Sequence, residues 1–537
     1  MLPTLRRLRF DWQILPLLLA AVWGFVAAYD TRLAIIQFGL ALLGIVLYFA
    51  IANLPDPILV GNQPRSVLAC LLVIMPLTLG LYFLLTNDWS KSIGKLHLLN
   101  PILTMLAANP LSSIGAGLNP NAVGGAIAIL LPLQVFALRR TRRWLAAAIV
   151  AVSLLALFLS EARGAWFALA VAALAWVLWS IVLARVTDRH KAHMIWSMLA
   201  VVGVMVGAII IAITPLGGWL LNSSGDRVNI WRNSLSLIRD YPVTGIGLGS
   251  YEMVYASYAL LTHVGCVFHA HNILLDIWLD LGALGLIAFI GMIVNAVWPK
   301  PSSPWRLAAL VSLLVMLVHG LADDALWGYA GILLPITFIP LALLARPAET
   351  TLNTAHRKFQ PAWAIWLAGA IGLLAMLVTP AGRALLIANW GALQQTRAEL
   401  AVYHWPDVPL QDVLRYTGEG ATAIAVDLYR QALNIDPGNA TALWRLGQIE
   451  LAQGQYQDAC QHLAAAQIVA SEQRATRQLL GECYALHDQA DQAVGLWRTI
   501  DTSESQLDLR RWWYETYLGD ATNTARLNRA IAMLSTQ

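Results

Sequence analysis

The stretch Cys266–Trp298, CVFHAHNILLDIWLDLGALGLIAFIGMIVNAVW, opens on two histidines and an asparagine and then stays apolar for a membrane's thickness. About 20 apolar residues in a helix cross the hydrocarbon core, so a span is predicted over 272–298. Imidazoles at its mouth need something wet to face. The whole chain repeats the message: 58% of its 537 residues are hydrophobic and only 12% charged. No soluble protein of this length hides that much apolar surface, so the bilayer is its main solvent.

Further apolar runs predict spans near 13–29, 33–52, 66–86, 118–138, 144–160, 164–184, 194–214, 307–322, 329–345 and 361–380. The segment 96–117 is apolar but broken by Pro, Asn and Gly, and reads as re-entrant. The expectation is an all-α polytopic membrane protein with about 11–12 spans. The first run follows RRLRFDW without a small-residue cleavage site and is expected to be retained. Basic residues orient the spans. With a cytoplasmic N-terminus, Arg6, Arg7, Arg9, Arg65, the RRTRR cluster at 139–143, Arg185, Arg189, Lys191, Lys300, Arg306, Arg346, Arg357 and Lys358 all fall inside. The long loop 215–270 and the tail then lie outside the cytoplasm. Scattered Lys and Arg in short loops do not suggest nucleic acid.

Two domains are expected, a membrane domain over 1–385 and a repeat domain over 386–537. In the tail Ala425, Ala459 and Ala493 recur every 34 residues, with Tyr429, Leu463 and Trp497 in step. Leu446-Gly447 returns as Leu480-Gly481, which is the tetratricopeptide signature of paired helices packed through small residues. The first repeat lacks its Leu-Gly pair. Such a short solenoid suits binding a protein partner; the plainer reading is a stabilising spacer. Of four cysteines, Cys460 and Cys483 allow a disulfide, although lone buried thiols are the commoner case.

Polar groups gather at the predicted outer ends: Asn119 and Asn121; Glu161 and Arg163 in SEARG; Asp226, Arg227, Arg232, Arg239 and Glu252 in the long loop; His269, His271 and Asn272; His319, Asp323 and Asp324. The span interiors are read as nearly free of ionisable residues, which disfavours a small-solute transporter. A purely scaffolding membrane protein is the third class. In GDRVNIWRNSLSLIRDYP, Arg232 and Arg239 share a helix face, and Ile230, Leu237 and Ile238 are available to the membrane surface. TGIGLGS lacks the Lys-Ser/Thr of a nucleotide loop and suits a tight turn near the membrane. His269 and His271 could ligate a metal, but no third ligand is near in sequence, so none is expected. A neutral imidazole at a helix N-terminus serves instead as a general base.

This order of features resembles the O-antigen ligase and O-antigen polymerase superfamily. Its ligase hallmark, H-N/S/Q followed after nine residues by G-x-x-G, is matched by His271, Asn272, Gly282 and Gly285, and the likeness covers roughly 100–345. The resemblance implies a metal-independent, inverting glycosyltransferase without cofactor in the bacterial plasma membrane, using a glycan on undecaprenyl diphosphate at the outer leaflet. It gives His271 the role of base and Arg163 and Arg227 that of holding the diphosphate. Arg232, His269, Asn272, Asn121, Glu161, Asp323 and Asp324 are the remaining substrate-binding candidates. Ligase, polymerase and protein O-oligosaccharyltransferase stay open, with a glycan, lipid or protein acceptor.

Overall fold

The computed structural model describes residues 14–53, 67–91, 100–113, 119–185, 225–260, 267–297, 304–321, 323, 331, 333–345, 362–401, 411–418, 420–500, 502 and 504–535. Among them every regular element is a helix. The apolar helices come in chain order as α1 (Ile14–Ala27), α2 (Thr31–Asn53), α3 (Val67–Thr86), the short α4 (Asn100–Ala107), α5 (Pro120–Leu138), α6 (Arg143–Leu159) and α7 (Arg163–Arg185). Two polar helices, α8 (Gly225–Asp240) and α9 (Tyr251–Tyr258), precede α10 (Ile273–Val297), α11 (Pro304–Gly320), α12 (Phe338–Ala345) and α13 (Ala362–Val378). Among the described residues four helices, α2, α3, α5 and α10, are each long and apolar enough to cross a membrane; counting the bent pair α13–α14 as one span would add a fifth. Shorter apolar helices occupy most of the other expected positions; the span expected at 194–214 lies outside the described residues.

Small residues set the helix spacing, because apolar side chains gain little by leaving lipid for one another. A β-carbon on Gly44 of α2 would stand 2.4 Å from the Phe338 ring, and one on Gly80 of α3 would stand 3.1 Å from Ala156. α5 is buried along most of its length, whereas Leu367, Ile371 and Leu374 of α13 are exposed, as lipid-facing residues should be. α10 breaks at Gly282, which has φ 69° and ψ −172°.

After α13 the chain turns by 92° into α14 (Pro380–Leu400). The rest is helical: α15 (Asp412–Thr417), α16 (Ala421–Ile435), α17 (Ala440–Ala452), α18 (Tyr456–Val469), α19 (Arg474–Leu486), α20 (Ala490–Arg498), α21 (Glu504–Trp512) and α22 (Ala521–Ser535). The periodic positions Ala425, Tyr429, Ala459, Leu463, Ala493 and Trp497 are fully buried. Gly447 and Gly481 pack against Leu463 and Trp497, and Gly391 of α14 packs against Tyr429 in the same way. The glycine that the first repeat appeared to lack is therefore present, displaced in sequence by the insertion carrying α15. Cys460 and Cys483 form a disulfide between α18 and α19, with α-carbons 5.6 Å apart. This corrects the expectation of lone thiols: packing of adjacent repeat helices brings the two α-carbons within bonding reach.

Candidate active site

The site begins with the cap of α10. Asn272 accepts the amides of Leu274 (3.1 Å) and Leu275 (3.3 Å) and donates its own NH₂ to the Leu321 carbonyl (3.1 Å). One side chain thus starts α10 and ties it to the end of α11. Asp276 in the first turn accepts the Ala270 amide at 2.6 Å, folding the preceding residues back over the helix. Between these two anchors His271 sits in the left-handed region, φ 52°. That region is uncommon for a residue with a β-carbon, although histidine enters it more readily than most.

The imidazole of His271 then meets Asp323, just past α11, with Nδ1 and Oδ1 3.0 Å apart. The other carboxylate oxygen accepts from Arg227 Nη2 at 3.0 Å. Burial pushes the Asp323 carboxyl up, but the His271 bond and the Arg227 charge outweigh it and hold the group down at about 2. An ionised carboxylate can only accept, so the proton between the pair belongs to His271 Nδ1 and the lone pair of a neutral ring lies on Nε2. His271 keeps 26% of its side chain exposed. His269 is buried, and its Nδ1 accepts the His271 amide at 3.2 Å, so it props the turn from behind.

Donor atoms of His269, His271 and Asp323 lie within 4.8 Å of one another. The fold thus recruits the distant third ligand that sequence spacing withheld. A cation there would compete with the guanidinium already bound to the same carboxylate.

Other candidates are spread around this centre. Arg163 is exposed at the first residue of α7 and Glu161 is exposed beside it with φ 55°. Their turn abuts α11, since a β-carbon on Gly164 would stand 3.0 Å from His319 Nδ1, and the Asp323 amide donates to the His319 carbonyl at 2.8 Å. Asn121 is half-buried in the first turn of α5, whose Gly124 packs on Ser160 and Ala162 of the same turn. Arg232 is exposed and faces Asn229 of its own helix at 3.5 Å, away from the contacts that join Arg227 to His271. Asp324, and the Asp226 side chain, lie outside the described residues. Half-buried Glu252 has its carboxyl pushed up by burial.

Two expectations change. The apolar face of α8 is not free for a membrane surface: Ile230, Leu237 and Ile238 are buried in one cluster with Tyr241, Tyr251 and Leu279 of α10. The interior of α10 is also not free of ionisable groups. Asp276 and Asp280, one helical turn apart, are both buried, and Gln37 of α2 donates to Asp280 at 3.3 Å. Their four-residue spacing inside an apolar run was the signal available in sequence.

The glycine-rich segment 241–250 does form turns, and it also acts as a strap. The Ile246 amide donates to the Leu279 carbonyl (2.6 Å) and the Ala283 amide to that of Val243 (3.2 Å), so the strap bonds to α10 on both sides of its break. A β-carbon on Gly282 would lie 2.2 Å from the Val243 carbonyl oxygen, and one on Gly245 2.4 Å from that of Leu279. Both glycines also have φ near +70°, so the histidine-to-glycine motif spans the site at one end and the strap at the other.

Residues 148–290 match the O-antigen ligase family, and residues 416–479 match the tetratricopeptide repeat. No curated protein and no solved structure matched the chain.

Proposed function

We propose that this chain, an O-antigen ligase-like membrane protein with a tetratricopeptide domain, transfers a glycan from undecaprenyl diphosphate to an acceptor hydroxyl at the outer face of a bacterial plasma membrane. The observation that carries the proposal is the chain His271–Asp323–Arg227, built from three segments distant in sequence. In the reaction, His271 Nε2 removes the acceptor's proton as its oxygen attacks the anomeric carbon. The bond from that carbon to the diphosphate oxygen breaks, the lipid diphosphate leaves with the electron pair, and the anomeric centre inverts. Asp323 stabilises the imidazolium that forms. Arg163 and Arg227 supply guanidinium forks, which match the charge and shape of a departing diphosphate. Asn121, Glu161 and Asp324 are positioned in sequence to meet sugar hydroxyls, while Asn272 and His269 support the turn.

The disulfide in the repeat domain supports an oxidising compartment for that domain, in agreement with the basic residues that fall on the opposite side. Mass spectrometry of cell-surface glycoconjugates and of the lipid-linked pool tests the reading. Deletion of the gene and His271→Ala are both expected to remove one surface glycan and to accumulate its lipid-linked precursor. Unchanged surface glycans in His271→Ala cells would sink it.

A further inference from the structure

Tetratricopeptide arrays usually present a concave face to ligands. In this chain the first helices of the two well-formed repeats, α17 and α19, have that role taken up internally. Asp240, the last residue of α8, accepts from Thr441 Oγ1 (2.8 Å), from Trp444 Nε1 (3.1 Å) and from Arg445 Nε (2.7 Å). Arg445 Nη2 reaches on to the Tyr241 hydroxyl at 2.6 Å. At the end of α9, Gln473 Nε2 donates to the Tyr258 hydroxyl (2.9 Å), Arg474 donates to the Ala259 carbonyl, and the Tyr258 ring stands edge-on to Trp444. From Thr441 to Ala452 every residue of α17 is buried.

The repeats therefore grip the unit α8–strap–α9 at two places, the junction of α8 with the strap and the far end of α9. The start of that unit carries Arg227 on Asp323, and its middle is bonded across the break of α10. We propose that the repeat domain is an intramolecular clamp, with Arg445 as its positioning residue. The ligand for which its inner face is built is the outer loop of this same chain, and the grip keeps Arg227 seated beside His271. Asp240 is 1% exposed, and a carboxylate so buried cannot lose its guanidinium without strong disruption of the contact. The kinetic part of this inference rests on the proposed glycosyl transfer; the structural part does not.

Hydrogen-exchange mass spectrometry on the full-length protein in lipid nanodiscs tests it, comparing the wild type with Arg445→Met, Arg445→Lys and Gln473→Ala. In Arg445→Met, amides of 225–258 are expected to exchange about tenfold faster or more, while α18 and α20 keep their protection. Arg445→Lys is expected to recover part of it by restoring the charge. Gln473→Ala, which cuts only the bond to Tyr258, is expected to loosen 251–258 alone. In transfer assays, Arg445→Met is expected to raise KM for the lipid-linked donor, with acceptor KM and pH profile unchanged. Unaltered exchange in 225–258, or an acceleration spread evenly through the repeat helices, overturns the clamp. The expected exchange pattern in a wild-type protein that transfers no glycan keeps the clamp and removes the transferase reading.

Discussion

His271 is held by three constraints, two from its own segment and one from a distant one: the Asp276 carboxylate on the preceding amide, Asn272 capping the following helix, and Asp323 on the ring. If Asp323 sets the tautomer, Asp323→Asn should lower turnover about 10²–10⁴-fold with little change in acceptor KM, as expected when a base loses its orienting carboxylate; steady-state kinetics decides it. The same group gives a pH prediction. Its carboxyl is lowered from 3.8 to about 2 in the folded protein, so its contribution to stability is complete above about pH 4 and is lost as pH falls toward 2. Acid titration followed by circular dichroism should show that loss, and Asp323→Asn should abolish it. Sequence alone offered His271, Asn272, Arg227 and Asp323 as site candidates. It did not reveal that Arg227 and His271 share one carboxylate, because 96 and 52 residues separate each from Asp323 and only packing decides such pairs. Asp276 was overlooked for a simpler reason: inside an apolar run it was read as part of the span.

Apolar length and a 34-residue period were enough to recover most helices and the repeat architecture. Insertions defeated them: Gly391 performs the packing of Gly447 and Gly481, yet α15 and its flanks separate it from the repeat it belongs to. Gly391→Val should therefore overpack the α14–α16 contact against Tyr429 and cost about 1–3 kcal/mol, measurable as a lowered thermal midpoint of the repeat domain. Gly282 is subject to two demands at once, a left-handed backbone and a passing carbonyl. Gly282→Ala is expected to cost at least about 1 kcal/mol through backbone conformation alone, and to release the strap from α10. Increased exchange at the Ile246 and Ala283 amides would register it. The period-based reading of α8 as a surface-lying helix failed because amphipathicity gives a helix its apolar face but not the surface that covers it.

For the molecule as a whole, the unexpected feature is how much buried charge joins the parts. Arg415 pairs with Glu399, Arg510 with Asp412 and Glu482, and Arg445 with Asp240, all largely out of solvent. Breaking one partner of such a pair costs roughly 3–5 kcal/mol, so Arg510→Met should destabilise the repeat domain by about that amount in chemical denaturation. The disulfide closes a loop of 23 residues, and Cys460→Ser with Cys483→Ser should cost about 2–4 kcal/mol. Reductant should lower the thermal midpoint of the wild type and leave that of the double variant unmoved. The disulfide is open to the sequence as one possibility, but the ion pairs are not, since each joins residues whose separation carries no periodic signal.

Between α13 and α14 the chain makes a right-angle bend. Thr379 caps the second helix directly, and a β-carbon on Gly382 would lie 2.4 Å from the α-carbon of Met376. A corner so tight is a bracket with no slack in it. If α13 stands along the bilayer normal, α14 runs parallel to the lipid headgroups, and the solenoid has a fixed altitude rather than a tether's range. A few flexible residues spliced into the corner would let the shelf drift away from the bilayer.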